Sequence, residues 1–423
     1  MKRVEFMLEF VTPGFLGGAD NKTTSEWRAQ SIRGQLRWWI RAVAGGFYKG
    51  DIAKVRTVED TLFGTTSLSS AVRVIPTGPP PKAVKNGGEC VWGNTIDENG
   101  LAGRWGDSTA ETKARLKLRG KSNSIYYLGY GVIVWNKEKK FVEYVRSRIE
   151  AGNRANFILQ IQRPASECFE LLAKSVRAWL FLGGIGAKSR KGFGSMCCTD
   201  VSNDILGSKG KFIPSNIGEF KEGLKDILEG IRNSGTGSAS VEAPCEWSHF
   251  SPASMVCIGK TSHNNWVDAM MATGSWLIAF RRRYGYPNDA RTWRGNNIGQ
   301  DYDWAAPNGS KRRGNIPDRS GFGLPLPFGM GGETVTWMNV GGGGKEVEDN
   351  RRASPLLIHI AKLGKDYYPI FTFLPARLVP EGAMLGFKNH SSSFTFSETS
   401  NQRSVGRHFL DDLVVKKLVE EVR

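Results

Sequence analysis

Hydrophobic residues in the first half of the chain recur at two spacings, one typical of strands and one typical of helices. Val4, Phe6, Leu8 and Phe10 alternate with other residues, which predicts a half-buried first strand. From Ser31 to Val43 the apolar residues fall at i, i+4 and i+7, which predicts an amphipathic helix. The full order predicted for this half is a strand at 4–10, a helix at 31–43, strands at 71–76, 125–135 and 156–162, a helix at 166–182 and a strand at 194–201.

The second half repeats this order more loosely. Its predicted elements are a strand within 247–260, a helix at 265–283, paired strands at 355–363 and 367–378, and a last helix at 406–422. We therefore predict an α+β fold of two ferredoxin-like (RRM-like) βαββαβ domains packed together. The predicted boundaries are a first domain at 1–205, a linker with a short helix at 206–240 and a second domain at 241–423, with insertions at about 77–124 and 285–350. The longer insertion has little periodicity, and loops of that length are usually functional or disordered.

The charge is large and unevenly placed. The chain of 423 residues has a net charge of +17. Residues 1–200 hold 31 Lys and Arg against 18 Asp and Glu, a net charge of +13, and the rest hold 27 against 23, a net charge of +4. A surplus concentrated in one half favours a polyanionic partner such as nucleic acid, while solubility alone is the plainer alternative.

The cysteines and the start of the chain argue against a zinc protein and a membrane protein. The six cysteines form no CxxC pair and have no histidine at ligand spacing, which argues against a zinc site, and we expect no metal and no cofactor. No apolar run approaches the ~20 residues that cross a membrane. The start MKRVEFMLEF reads as a strand without a cleavage region, so we expect a cytoplasmic protein with no membrane partner.

One loop concentrates glycine and positive charge. The stretch GGIGAKSRKGFGSM, residues 183–196, follows a predicted helix and precedes a predicted strand. That order excludes a dinucleotide fingerprint, and the glycines do not fit a Walker A loop. Successive glycines can direct backbone N–H groups into an anion-binding concavity, to which Lys188, Arg190 and Lys191 would add charge. The alternative is a tight turn that merely requires positive φ.

A second basic constellation lies on the first helix. Arg33, Arg37 and Arg41 stand in single file at i, i+4 and i+8, and no acidic residue of this helix relieves them. An anion along the helix would explain the arrangement, and a solvated charged face is the alternative. Trp38 falls off the apolar stripe, so it either stacks on a base or packs under a loop. Elsewhere, Arg312 and Arg313 in the long insertion, and Arg351 before a strand, are further candidates for RNA contact.

Four segments in order resemble a known family: TPGFLGGAD, SIRGQLRWWIRA, GGIGAKSRKGFGS and RRASPLLIHI. The chain resembles the RAMP superfamily of CRISPR proteins, and its helix and RRASPL segment look like the first Cmr subunit of the type III-B effector. The resemblance implies a subunit in antiviral defence that holds the 3′ region of guide (CRISPR) RNA or paired single-stranded target RNA and contacts other RAMP subunits. The candidate RNA-binding residues are Arg33, Arg37, Trp38, Arg41, Gly184, Gly186, Lys188, Ser189, Arg190, Lys191, Gly192, Phe193, Arg312, Arg313 and Arg351.

Some RAMP proteins are ribonucleases, so a catalytic role is an alternative. Metal-independent RNA cleavage needs a general base, and the first half of the chain contains no histidine. The residues to test are Asp20, which more simply orders its loop, and His263, near Lys260. We expect a non-catalytic RNA-binding subunit. The alternatives are a RAMP ribonuclease acting on guide precursor or target RNA, and a capping module that binds mainly protein.

Overall fold

The computed structural model describes most of the chain. The described residues are 2–90, 92, 124–136, 138–139, 141–162, 166–203, 206, 212–232, 245–283, 318–324, 326–327, 334–339, 351–387 and 397–422. Most of both predicted insertions lies outside them, and so do Arg312 and Arg313.

The elements of the first half are β1 (Lys2–Phe10), α1 (Ala29–Phe47), α2 (Ile52–Phe63), β2 (Val72–Thr77), β3 (Ala83–Val84), α3 (Ser124–Leu128), β4 (Ile133–Asn136), β5 (Phe141–Tyr144), β6 (Arg148–Ile149), β7 (Arg154–Ile161), α4 (Ser166–Leu182) and β8 (Met196–Val201). Those that follow are α5 (Ile217–Arg232), β9 (Met255–Gly259), α6 (Trp266–Arg283), β10 (Leu326–Pro327), β11 (Thr334–Asn339), β12 (Leu356–Leu363), β13 (Asp366–Phe373), β14 (Ala383–Phe387), α7 (Ser400–Val415) and β15 (Val419–Glu421). Short 3₁₀ helices lie at Ser189–Lys191 and Asp318–Phe322.

Two antiparallel four-stranded sheets organise the described residues. The first has the order β2-β7-β1-β8 and the second the order β12-β13-β9-β15. The first strand of each half, β1 or β9, lies in the middle of its sheet. It pairs at one edge with the strand that follows the last helix of that half, β8 after α4 and β15 after α7. The chain is therefore a mixed α and β protein with antiparallel sheets.

The alternation predicted for β1 is confirmed. Val4, Phe6, Leu8 and Phe10 are fully buried, and the residues between them are more exposed. This face packs beneath α1 and α4, where Trp39 and Trp179 belong to the same core. The strand is one layer of that core because its period of two places every second side chain on one face.

Several boundaries differ from the sequence predictions. The strand predicted at 125–135 is wrong in its first part, because residues 124–128 form α3 against α6, with Ser124 Oγ donating to Met271 O at 2.7 Å. The last helix begins at Ser400 on a Thr399–Gln402 capping box and ends at Val415, before strand β15. The helix within the predicted linker, α5, has 16 residues and packs on α1 and α4.

The two sheets meet through β12. Ile360 N donates to Ser195 Oγ at 3.1 Å, and Lys362 Nζ pairs with Glu9 at 2.6 Å. His359 Nδ1 donates to the carbonyl of Gly183 at 2.6 Å, at the start of the glycine-rich loop. These contacts place that loop at the junction of the two halves.

The described helices include no candidate for a membrane span. None of them is at once long enough and apolar enough to cross a bilayer.

Candidate nucleic-acid interface

The glycine-rich loop, residues 183–194, is shaped by positive backbone angles. Gly186, Gly192 and Gly194 have φ of +90°, +89° and +65°, and Lys188 also lies in the left-handed region at 63°. A Cβ on Gly194 would lie 2.0 Å from the carbonyl oxygen of Ile185. The tight turn that the sequence offered as the alternative explanation is therefore part of what the glycines do.

Part of the backbone that the sequence predicted as an anion-binding nest is engaged within the protein. The amides of Ile185, Ala187 and Gly194 donate to the carbonyls of Gly194, Phe15 and Pro13, each at 2.9 Å. The amide of Lys191 donates to Lys188 O at 2.8 Å within the 3₁₀ turn. These four N–H groups are used within the protein and are not available to an anion, which leaves the side chains and the other amides of the loop.

Three of the predicted RNA-binding residues face the interior instead. Phe193 is fully buried, with its ring centroid 5.4 Å from that of Phe15. Gly184 and Gly192 are buried as well, and a Cβ on Gly192 would lie 2.5 Å from Met270 Sδ. These three residues therefore serve close packing, Gly184 within the loop and Gly192 against the second half, and RNA contact by them stays a prediction.

The cations of the loop stay half-buried at the surface. Arg190 donates to the carbonyl of Ser354, and its guanidinium lies 4.9 Å from the ring centroid of Trp38. Burial lowers the pKa of Arg190 to about 10, and the charge of Arg352 adds to the effect. Burial lowers the pKa of Lys191 to about 8, with further contributions from Lys188 and Arg190. Both side chains thus carry positive charge where water stabilises it poorly.

More cations gather around them. Burial lowers the pKa of Lys188, and the charges of Arg146 and Arg351 lower it further. Burial also lowers the pKa of Arg352, while Glu398 raises it. We name this group the cationic seam; its members are Arg146, Lys188, Arg190, Lys191, Arg351 and Arg352. Within the part of the chain that the structure describes, none of the six forms an ion pair with a carboxylate.

The positive charges of Arg33, Arg37 and Arg41 on α1 have partners on a neighbouring helix. Arg37 Nε and Arg41 Nη1 lie 2.6 and 3.3 Å from Glu59 Oε1, a buried carboxylate on α2. Arg33 donates to the carbonyl of Phe63 at the end of α2. The argument that these three side chains need an external anion is therefore wrong, because α2 supplies the acceptors. RNA contact by these arginines stays a prediction.

Trp38 is half-buried, as its place off the apolar stripe predicts. Its ring meets that of Trp39 edge to face, with centroids 4.8 Å apart and planes at 83°. The Arg190 guanidinium covers part of it. Trp38 therefore links α1 to the cationic seam.

The two residues singled out for catalysis are each held by contacts of their own. The Asp20 carboxylate accepts hydrogen bonds from Thr23 Oγ1 at 2.6 Å and Lys22 N at 2.9 Å, which lower its pKa and order the turn. His263 exchanges two backbone hydrogen bonds with Tyr367, both at 2.9 Å, and burial lowers its pKa. Among the described residues, no group of three or more His, Cys, Asp or Glu side chains is placed to hold a metal ion.

Sequence reasoning missed three parts of this surface. Arg146 and Trp247 belong to segments with no motif, and only folding brings them beside the glycine-rich loop. The sequence does not reveal Glu59 on α2 as the partner of Arg41, because the two residues are 18 positions apart. Arg352, by contrast, is visible in the sequence beside Arg351, before the same predicted strand.

Comparison with known proteins agrees with the motifs. Residues 7–197 match the model of the RAMP superfamily. Cmr1-1 of Pyrococcus furiosus, a CRISPR system Cmr subunit, is 27% identical over 243 residues, which are 56% of this chain and 61% of that protein. Cmr1-2 of the same organism is 28% identical over 193 residues, 45% of this chain and 92% of that protein. The match to the RAMP superfamily thus covers most of the first half of the chain.

Within that superfamily the resemblance is to the Cmr type. The crystal structure of Cmr1 from Pyrococcus furiosus in its apo form shares the fold, with a TM-score of 0.52 at 20% identity over 100% of this chain and 99% of that one. The resemblance to Cmr-type RAMP proteins that the four sequence segments indicated is therefore confirmed.

Proposed function

We propose that the chain is a non-catalytic RNA-binding subunit of a cytoplasmic type III-B Cmr ribonucleoprotein. It holds the 3′ region of guide RNA, paired target RNA, or both, and it contacts other RAMP subunits. The named relatives are Cmr subunits, which supports membership of such an assembly. The guide and target RNA backbones are both phosphodiesters, so one cationic surface suits either.

The cationic seam is the observation that carries the proposal. Six cationic side chains converge on the junction of the two halves, and burial disfavours the charge of four of them: Lys188, Arg190, Lys191 and Arg352. Uncompensated, partly buried charges destabilise a folded protein, so their concentration needs a counter-charge. A phosphodiester backbone supplies several negative charges at regular spacing, and Arg and Lys are the side chains that bind it.

The two sheets support a finer view of the architecture. We interpret them as two ferredoxin-like (RRM-like) βαββαβ domains, because each has the strand order 2-3-1-4 of its own four strands. The glycine-rich loop, which follows α4 of the first domain, then lies against β12 of the second domain. RNA would lie over the cationic seam at the junction of the two halves.

The absence of catalysis is also part of the proposal. The carboxylate of Asp20 is held by its own turn, and His263 lies in a bridge to β13 with no hydrogen bond to the cationic seam. A general base must reach the proton that it removes, and the contacts that hold Asp20 and His263 in place support a structural role for both.

The proposal is tested by one incubation of the purified protein with labelled single-stranded RNA across a salt series. Half is run on a native gel and half on a denaturing gel, with magnesium and with chelator. We expect a salt-sensitive shift with intact RNA. Shortened RNA would contradict the non-catalytic role, and a shift that ignores salt would contradict phosphate binding.

The titration of Lys191 predicts a pH dependence. Because its pKa is about 8, the protonated fraction of Lys191 falls from about nine-tenths at pH 7 to about one-tenth at pH 9. Since only the charged form attracts a phosphate, RNA affinity should fall about threefold to tenfold over this range. Fluorescence anisotropy with labelled RNA at constant ionic strength measures the change.

The matched variant is Lys191→Arg, which keeps the charge at every pH used. Its RNA affinity should stay flat from pH 7 to pH 9. The unfolded lysine, with an ordinary pKa near 10.5, binds more protons than the folded one above pH 8, so the stability of the unsubstituted protein relative to Lys191→Arg should rise with pH. Equal pH profiles for the two proteins would contradict the role of Lys191.

A further inference from the structure

A cavity opens beside the cationic seam. Its volume is about 260 Å³, and its lining includes Trp38 and Arg41 of α1, Arg190 of the glycine-rich loop, Trp247 and Arg352. Two indole rings and three guanidinium groups thus share one small space. Aromatic faces and guanidinium groups are what proteins use to hold unstacked bases of single-stranded RNA.

Trp247 is held closely against α1. Phe250 N donates to Ala42 O at 3.0 Å, and Arg352 donates to Glu246 O at 3.2 Å, which fixes the segment on both sides of the ring. A Cβ on Gly45 would lie 2.4 Å from the Trp247 ring, so only glycine allows this approach. The glycine in the AVAGG end of α1 therefore has a specific packing role.

The charges in the cavity are incompletely matched. Arg41 is paired with Glu59, whereas Arg190 has a carbonyl and the Trp38 ring as its partners. Arg352 lies close enough to Arg190 that each raises the energy of the other's charge. An anion between these two guanidinium groups would relieve both.

We propose that this cavity receives one extruded nucleotide of the bound RNA, with its base against Trp38 and Trp247 and its phosphate at Arg190 and Arg352. The inference rests on the proposed function, which it deepens from backbone binding to capture of a base. The volume is below the roughly 300–1,000 Å³ of most small-molecule sites, which suits a single nucleotide rather than a run of stacked bases. Recognition is by stacking, so it tolerates any base.

The test compares two single-stranded ligands of equal length and charge, an oligouridylate and the same backbone with abasic residues throughout. The unsubstituted protein should bind the base-bearing RNA about tenfold more tightly. Trp247→Leu keeps an apolar side chain but removes the stacking plane, and it should abolish that preference while leaving the salt dependence intact. Trp247→Phe should retain most of the preference, and Trp266→Ala, which removes a half-buried tryptophan outside the cavity, should leave it unchanged.

The outcomes separate this inference from the proposed function. Equal, salt-sensitive binding of both ligands by the unsubstituted protein would overturn base capture and leave the proposed function standing. Failure to bind either ligand would overturn both. If polyglutamate displaces the RNA from the unsubstituted protein, and the Trp247→Leu protein no longer binds polyglutamate, the cavity receives an acidic protein segment and the inference is wrong.

Discussion

Replacing Arg190 and Lys191 together by glutamine is expected to weaken binding of single-stranded RNA about a hundredfold at ~0.1 M salt. Each side chain is placed to make a charge-assisted hydrogen bond to a phosphate, and each such bond is worth about 1.5–3 kcal/mol. Both lie in the cationic seam and pair with no described carboxylate, so no internal ion pair is lost, although Arg190 gives up its hydrogen bond to Ser354 O. The slope of log affinity against log salt should become shallower by about 1.4, since each phosphate contact on a single strand contributes about 0.7.

The matched control is Arg33→Gln with Arg37→Gln, which removes two charges from α1. By sequence pattern these arginines are candidates for RNA contact just as the loop cations are, but α2 already provides their partners. We expect a loss of affinity of only a few-fold and little change in salt dependence. If both double variants lose affinity equally, binding follows net charge and the cationic seam is not the site.

Gly194→Ala is expected to destabilise the protein more than any other substitution proposed above. Gly194 combines a φ of +65° with an ideal Cβ position 2.0 Å from the carbonyl of Ile185, and its amide bonds Pro13 O. A left-handed residue costs about 1 kcal/mol or more, and a clash with backbone cannot be relieved by a side-chain rotation. We expect the free energy of unfolding to fall by about 3 kcal/mol or more, measured by urea denaturation.

Gly34→Ala is the control for this substitution. Gly34 is exposed in the middle of α1, and an added Cβ would meet nothing within 4 Å. Alanine there should raise stability by about 0.5–1 kcal/mol because it favours helix. A Gly194→Ala protein as stable as Gly34→Ala would show that the glycine-rich loop is not held as described.

Local patterns were enough to predict the parts of the fold that depend on local sequence. The alternation in residues 4–10 predicted β1 and its buried face, and the helical stripe around Leu36 predicted α1. Both succeeded because a single buried face imposes its period on the sequence. The glycines between α4 and β8 likewise indicated a special backbone conformation, which their positive φ angles confirm.

Long-range packing set the limits of that reasoning. Residues 124–128 are helical because Ile125 and Leu128 pack against α6, a partner far along the chain that strand periodicity cannot reveal. The same holds for the site. The pairing of Arg37 with Glu59 and the placing of Trp247 beside Arg190 depend on helix and loop packing, so the sequence revealed neither the partner of Arg37 nor the cavity.

The most direct test of RNA binding at the cationic seam is photocrosslinking of the full chain to single-stranded RNA containing 4-thiouridine, followed by mass spectrometry of the linked peptides. We expect crosslinks to fall within residues 186–191, 245–250 and 351–354, and to be lost in the Arg190→Gln, Lys191→Gln protein. Crosslinks confined to α2, β2 or other surfaces away from the junction of the two halves would contradict the claim that the cationic seam holds the RNA.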